Sequence, residues 1–290
     1  MSGLEKLVAE ELGASADPRV ARIAAAIAAR HGGASRAVLF YGSCLRQREL
    51  EGRMLDFYLI VSGYREAYER SWLAAANRLI PPNVFYFELE GLASKYAVLS
   101  EHDFAHECSL EAWTVSTAAR FAQPSRLVWS SDEAAREQTI ETVSNATPTL
   151  LGWTLKVASP DTAALDLWTR AFELTFGAEL RAERSSRPAA IVEADPKRYE
   201  LFFKSMDPVP RNLGTNGARW WRSKQRHGKL YSVARLAKAS LTFSNGADYI
   251  AWKINRHADT DIRLKPWQQR HPLLAAITLL PRLLRSGAVR

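Results

Sequence analysis

Apolar positions cluster most tightly in AVLFYGSCLRQRELEGRMLDFYLIV, residues 37–61. A run over 37–41 is broken by Gly42-Ser43, a polar and charged stretch follows, and a second run over 54–61 is interrupted only by Asp56. This pattern predicts two strands joined by a polar turn or a short helix. An acid within a buried strand has to point out of the core into a site, which marks Asp56. Ahead of the pair, Val20, Ile23 and Ile27 recur at helical spacing among alanines and stop at His31-Gly32-Gly33, which predicts a packed helix.

Downstream, the spacing predicts a helix over 66–79 ended by Pro81-Pro82, and the alternating, aromatic-rich residues 83–89 predict a third strand. Residues 110–121 read as helical, and a turn at Gln123-Pro124 leads into a short apolar segment with Arg126 and Trp129. The polar run 130–144 reads as a boundary between domains. Leu165, Trp168, Phe172 and Phe176 fall on one face of a further helix, broken at 185–188 and resumed over 199–203. Residues 207–217, rich in Pro, Gly and Asn, read as a long loop.

The chain then turns basic, with Arg219, Arg222, Lys224, Arg226, His227, Lys229, Arg235 and Lys238 close together. Helical spacing puts Val233, Leu236 and Ala237 on one side with cations beside them, and 247–257 reads as another helix. The cationic face either grips phosphate or is simply solvated. In the tail, 272–284 is almost wholly apolar and edged by Arg282, Arg285 and Arg290. Such a segment lies in a membrane interface or docks on the protein's own core.

Composition narrows this picture modestly. At 290 residues, 47% hydrophobic and 24% charged, with nine tryptophans, the chain is globular and long enough for two domains. The net charge of +8 calls for an anionic partner, a class that takes in nucleotides, nucleic acid and acidic lipid. Two cysteines, Cys44 and Cys108, make no disulfide framework and imply a reducing setting. Cys108 with His102 and His106 lacks the four-ligand spacing of structural zinc. The amino terminus shows no export or import signal, and no apolar run approaches the roughly 20 residues of a spanning helix.

The candidate chemistry sits in three places. Gly42 lets backbone approach a ligand closely, and Ser43 adds a hydroxyl beside it; a plain tight turn would look the same. Asp56 suits a metal-bound phosphate, and Glu88, at the end of the third strand, either completes a metal site or is a solvated carboxylate. Lys95 is either a point charge on phosphate or an exposed solubilising lysine.

Taken in order, Tyr41-Gly42-Ser43, Gln47, Met54-Leu55-Asp56-Phe57, Lys95-Tyr96-Ala97-Val98-Leu99-Ser100 and the later Ser232, Lys238 and Leu241-Thr242 resemble the mitochondrial-type CTP:phosphatidate cytidylyltransferases, a nucleotidyltransferase family also found in bacteria. The resemblance runs from about residue 35 to 257 and is strongest before Arg126. It implies an α+β fold: a nucleotidyltransferase domain with a mixed sheet and flanking helices over 1–130, a mostly helical, winged-helix-like domain over 131–257, and a basic amphipathic membrane-associating tail over 258–290.

It also implies a Mg²⁺-dependent reaction of CTP with phosphatidic acid, giving CDP-diacylglycerol and pyrophosphate. Gly42 and Ser43 would hold the triphosphate, Asp56 (with Glu88) the Mg²⁺, and Lys95 a phosphate, with Gln47 and Lys238 also at the nucleotide. Partners are then CTP, phosphatidic acid and an anionic membrane surface rather than nucleic acid, and the place is the cytoplasmic face of a bacterial inner membrane.

There are departures. Tyr58 stands where most nucleotidyltransferases carry a second acid, on the same strand face as Asp56. Ala97 and Cys44 stand where the family has glycines, and Cys44 adds bulk where a turn residue could need positive φ. The alternatives are a soluble nucleotidyltransferase acting on a small molecule or RNA, and a non-catalytic module binding nucleotide or nucleic acid.

Overall fold

The computed structural model of the protein describes residues 2–47, 49–159, 161–179, 187–206 and 216–242. The helix read at 247–257 and the apolar tail 272–284 lie outside the described residues, as do the loop 207–215 and the side chain of Gln47.

Helices α1 (Gly3–Gly13) and α2 (Pro18–Ala29) precede strand β1 (Ser35–Tyr41), the five-residue helix α3 (Ser43–Gln47) and strand β2 (Leu55–Val61). Two short helices, α4 (Tyr64–Ala67) and α5 (Ser71–Leu79), lead to a hairpin of β3 (Asn83–Leu89) and β4 (Leu92–Ser100). Helices α6 (Glu101–Glu107) and α7 (Ser116–Phe121) come before the last strand, β5 (Ser125–Ser130). The remaining described elements are helices: α8 (Glu133–Ser144), α9 (Ala146–Leu155), α10 (Ala164–Gly177), α11 (Arg187–Glu193), α12 (Pro196–Lys204) and the 26-residue α13 (Gly217–Thr242).

The strands form one mixed sheet in the order β3-β4-β2-β1-β5. All neighbours are antiparallel except β2 and β4, which run parallel with Asp56 level with Lys95. Alternation sends successive side chains to opposite faces. Val38, Phe40, Leu55, Phe57, Leu59 and Val98 meet α2, whose Val20, Ile23, Ala24 and Ile27 are buried against them. The start of α2 is fixed by Pro18 and by the Asp17 carboxylate accepting from the Arg19 N–H at 2.9 Å.

Ala37, Leu39, Tyr58, Ile60, Ala97 and Leu99 share the other core with α1, α7 and the later helices, down to Trp153, Trp168 and Trp221. Arg198 of α12, almost fully buried, reaches across this core to Glu11 of α1 (Nη2 to Oε1, 2.9 Å) and to the Ala122 carbonyl at 3.1 Å. The result is the expected α+β class: a mixed sheet with flanking helices, followed by helices.

Three local expectations are corrected. The helix read at 66–79 is two, because Tyr68 leaves the helical path to bury its ring beside His31, where its hydroxyl accepts from Asn77 Nδ2 at 3.2 Å. Only Ser116–Phe121 of 110–121 is helical. The Glu107 carboxylate accepts from the Trp113 N–H (3.2 Å) and the Thr114 hydroxyl (2.6 Å), which folds the preceding residues into a turn. The polar run 130–144 is mostly α8, capped by Asp132 accepting from the Ala135 N–H at 2.7 Å and burying Ala135, Thr139, Ile140 and Val143. Threonine methyls filled positions that read as polar. Among the described residues no helix is long and apolar enough to cross a membrane.

Candidate functional site

At one end of the sheet, Tyr86, Lys95, Asp56 and Tyr41 lie level across four adjacent strands. Paired positions share a face, so their side chains emerge on the same side. Lys95 Nζ meets Asp56 Oδ1 at 2.9 Å, with the two side chains 25% and 19% exposed. The pair is therefore reachable from solvent yet shielded enough for its charges to count.

The turn after β1 closes over this pair. Gly42 has φ +95°, and a β-carbon there would sit 2.9 Å from Asp56 Oδ2. Both facts demand glycine: the backbone conformation disfavours any side chain, and the carboxylate already fills the space. Ser43 follows as the first residue of α3. Cys44 does not need positive φ, contrary to expectation. The turn takes its left-handed step at Gly42 alone, and Cys44 is buried with its thiol against the Met54 carbonyl (3.5 Å). Burial, with Asp56 nearby, pushes that thiol up from its ordinary pKa, which makes it a packing residue.

Behind Asp56 lies a group that the sequence reading missed. Arg120 of α7 donates from Nη1 to the Tyr58 hydroxyl at 3.3 Å. Burial works against its charge, yet Tyr58, Glu179, Tyr41 and Asp56 outweigh burial and hold its pKa above the ordinary arginine value. Phe121, the next residue, packs edge-on to Tyr58 at 5.2 Å and fixes the helix over the sheet. Burial and the Asp56 charge raise the Tyr41 phenol, so it stays neutral. Tyr58, where a second acid was expected to be missing, thus anchors a cation. The available signal was a lone arginine in Ser116–Phe121, whose other side chains are small or aromatic.

The remaining candidates lie apart. Glu88 is on β3, two strands from Asp56, where its carboxylate accepts from the Tyr86 hydroxyl at 2.5 Å; this bond, with burial, pushes the phenol up to about 12. Lateral strand spacing puts it about 10 Å from Asp56 before any offset along the strands. Lys238 Nζ donates to the carbonyls of Ile80 and of Pro82, the latter at 2.8 Å. That places it at the other end of β3, where Asn83 is level with Val98 rather than with Lys95. Ser232 bonds back to Gly228 within its own helix, at 2.8 Å. His106 is in the last turn of α6 and Cys108 caps that helix, the ring of His106 lying 4.5 Å from Trp113.

The donor set bears on metal binding. Among the described residues no three His, Cys, Asp or Glu side chains gather as a cation cage. One carboxylate beside two cations fits an ion that arrives with substrate phosphates as its other ligands, and does not fit a pair of protein-held ions. A shallow concavity of about 400 Å³ lies elsewhere, along α10, where Arg170 and Glu173 pair at 3.0 Å.

No family model matches this chain, and no curated protein matches it. Among solved structures, a nucleotidyltransferase-like protein from Exiguobacterium sibiricum 255-15 aligns with 92% of this chain and 92% of its own, at 10% identity and a TM-score of 0.30. At that level of likeness, the chemistry has to be argued from the site alone.

Proposed function

We propose that this protein transfers a nucleotidyl group from a nucleoside triphosphate to a phosphate acceptor, with Asp56, Lys95, Gly42 and Ser43 at the reacting phosphates. The observation that carries the reading is the Lys95–Asp56 pair, 2.9 Å apart, under a turn whose Gly42 backbone lies against the carboxylate. A triphosphate needs backbone it can approach, cations to offset its charge, and a carboxylate for its accompanying ion; these residue types supply all three.

The resemblance described above narrows the reading to CTP and phosphatidic acid at the cytoplasmic face of a membrane. An oxygen of the lipid phosphate attacks the α-phosphorus of CTP, a phosphorus–oxygen bond forms, and the bond to the β-phosphate breaks to release pyrophosphate. The attacking oxygen is already anionic at neutral pH, so no general base is required. Lys95 offsets charge on the phosphates, and Arg120, held through Tyr58, adds positive potential behind them. Mg²⁺, held by Asp56 and the triphosphate oxygens, would neutralise charge and orient the leaving pyrophosphate.

The test is to incubate the full chain with Mg²⁺, each labelled nucleoside triphosphate in turn, and phosphatidic acid vesicles. The expected result is CDP-diacylglycerol and pyrophosphate from CTP alone, with turnover by Asp56→Ala down at least about a thousandfold. Near-normal turnover in that variant, with the fold intact by circular dichroism, removes Asp56 from the reaction. Turnover with a water-soluble acceptor and none with lipid overturns the acceptor assignment while keeping nucleotidyl transfer.

A further inference from the structure

Helix α13 has two unlike faces. Inward, it buries Trp221 and Gly228 and turns Lys224, Arg235 and Lys238 toward the protein. Outward, Arg219, Arg222, Arg226 and Lys229 are exposed at successive turns, followed on the same side by Leu230, Val233 and Leu236, which are 70%, 37% and 40% exposed. At 100° per residue these seven positions fall within about one third of the helix circumference. The sequence reading put Val233 and Leu236 on one side of the helix with cations beside them, and the structure turns that side outward.

No acidic residue occurs anywhere in Gly217–Thr242. The outer face is therefore uniformly cationic over its first half, about 15 Å long, and apolar over the next 9 Å or so. A solvated helix face has no use for three exposed aliphatic side chains in line, and a nucleic-acid face would continue with polar or stacking groups. A face whose cations attract anionic headgroups and whose adjoining aliphatic side chains reach the acyl boundary suits docking on a lipid surface rather than lying along it as an amphipathic helix.

We infer that the outer face of α13 docks on an anionic lipid surface, Arg219, Arg222, Arg226 and Lys229 meeting headgroups while Leu230, Val233 and Leu236 insert. This rests on the membrane part of the proposed function and names the surface that would meet the lipid; docking is measured with no nucleotide present, so its failure is distinct from a failure of nucleotidyl transfer. It also moves the membrane contact into α13, ahead of the apolar tail on which the sequence reading placed it.

The experiment is vesicle flotation of the full chain without nucleotide, on phosphatidylglycerol–phosphatidylcholine mixtures and on pure phosphatidylcholine. The protein is expected to float with the anionic vesicles only. Binding should fall about tenfold or more in Arg222→Glu/Arg226→Glu and in Leu230→Ser/Val233→Ser/Leu236→Ser, with melting temperatures unchanged because every altered side chain is exposed. Wild-type binding that both variants retain overturns the proposal and moves the contact to residues 243–290. So does the absence of vesicle binding, whether the variants instead lose nucleic-acid binding or dissolve a dimer made through this face.

Discussion

Two lysines that the same resemblance sends to a nucleotide end up in opposite settings. Lys95 stands at the open end of the sheet with its ammonium 2.9 Å from a carboxylate. Lys238 is 8% exposed, and its amine is held by the carbonyls of Ile80 and Pro82, with Arg235 as its charged neighbour among the described residues. Burial first, and then the Arg235 charge, pull Lys238 down to about 7 from the usual 10.5. A phosphate-binding lysine has to be charged and reachable. Lys95 meets both conditions, whereas Lys238 ties α13 to the loop before β3. Residue type and spacing cannot separate the two; the counter-charge does.

The largest effect that would sharpen this contrast is on turnover. Lys95→Met should cost about a hundredfold in kcat/KM for the nucleotide, as expected for removal of one charge-stabilising donor. Lys238→Met should change it by less than about threefold, because the lost bonds are to main-chain carbonyls remote from the site. Equal losses in the two variants would break the comparison.

Next in size is the turn over the pair. Gly42→Ala forces a side chain into positive φ and against Asp56 Oδ2, and should lower stability by about 1–3 kcal/mol in denaturant melts. A melt like that of the wild type would show that the turn does not clasp Asp56.

A further effect concerns pH. Between about 7 and 10.5 the folded protein holds fewer protons at Lys238 than the unfolded chain does. The burden of charging this buried amine is therefore fully present below pH 7 and is relieved as pH rises through that window. Wild-type stability should climb relative to Lys238→Met from pH 7 to pH 10 in thermal melts; parallel profiles would mean that the buried amine keeps an ordinary pKa.

Much of the sheet was legible in the sequence. The two apolar runs, the break at Gly42-Ser43 and the isolated Asp56 gave β1, the turn and β2 with small errors at the ends. The hidden parts are those in which polar groups do the packing. Arg120 escaped notice because its partner is a phenol on a strand more than 60 residues earlier, a pairing that no local pattern carries. The facing of α13 was not legible because its inner surface is built from cations bound to carbonyls, and helical spacing alone does not say which side of such a helix meets the protein. Glu88 could not be placed because strand order is set by tertiary pairing, and β4 comes between β3 and β2.

The parallel ladder between β2 and β4 has one further consequence. Asp56 and Lys95 are 39 positions apart in the chain, yet adjacent because both enter that ladder at the same level. A shift of β4 by a single residue would swing the lysine to the opposite side of the sheet. The ion pair and the strand alignment are thus one specification, and of the connection between the strands the exposed tip at Glu90-Gly91 is the place where an insert leaves the packed elements and the pair untouched. A grafting experiment on this scaffold would do best to begin at the exposed hairpin tip, Glu90-Gly91.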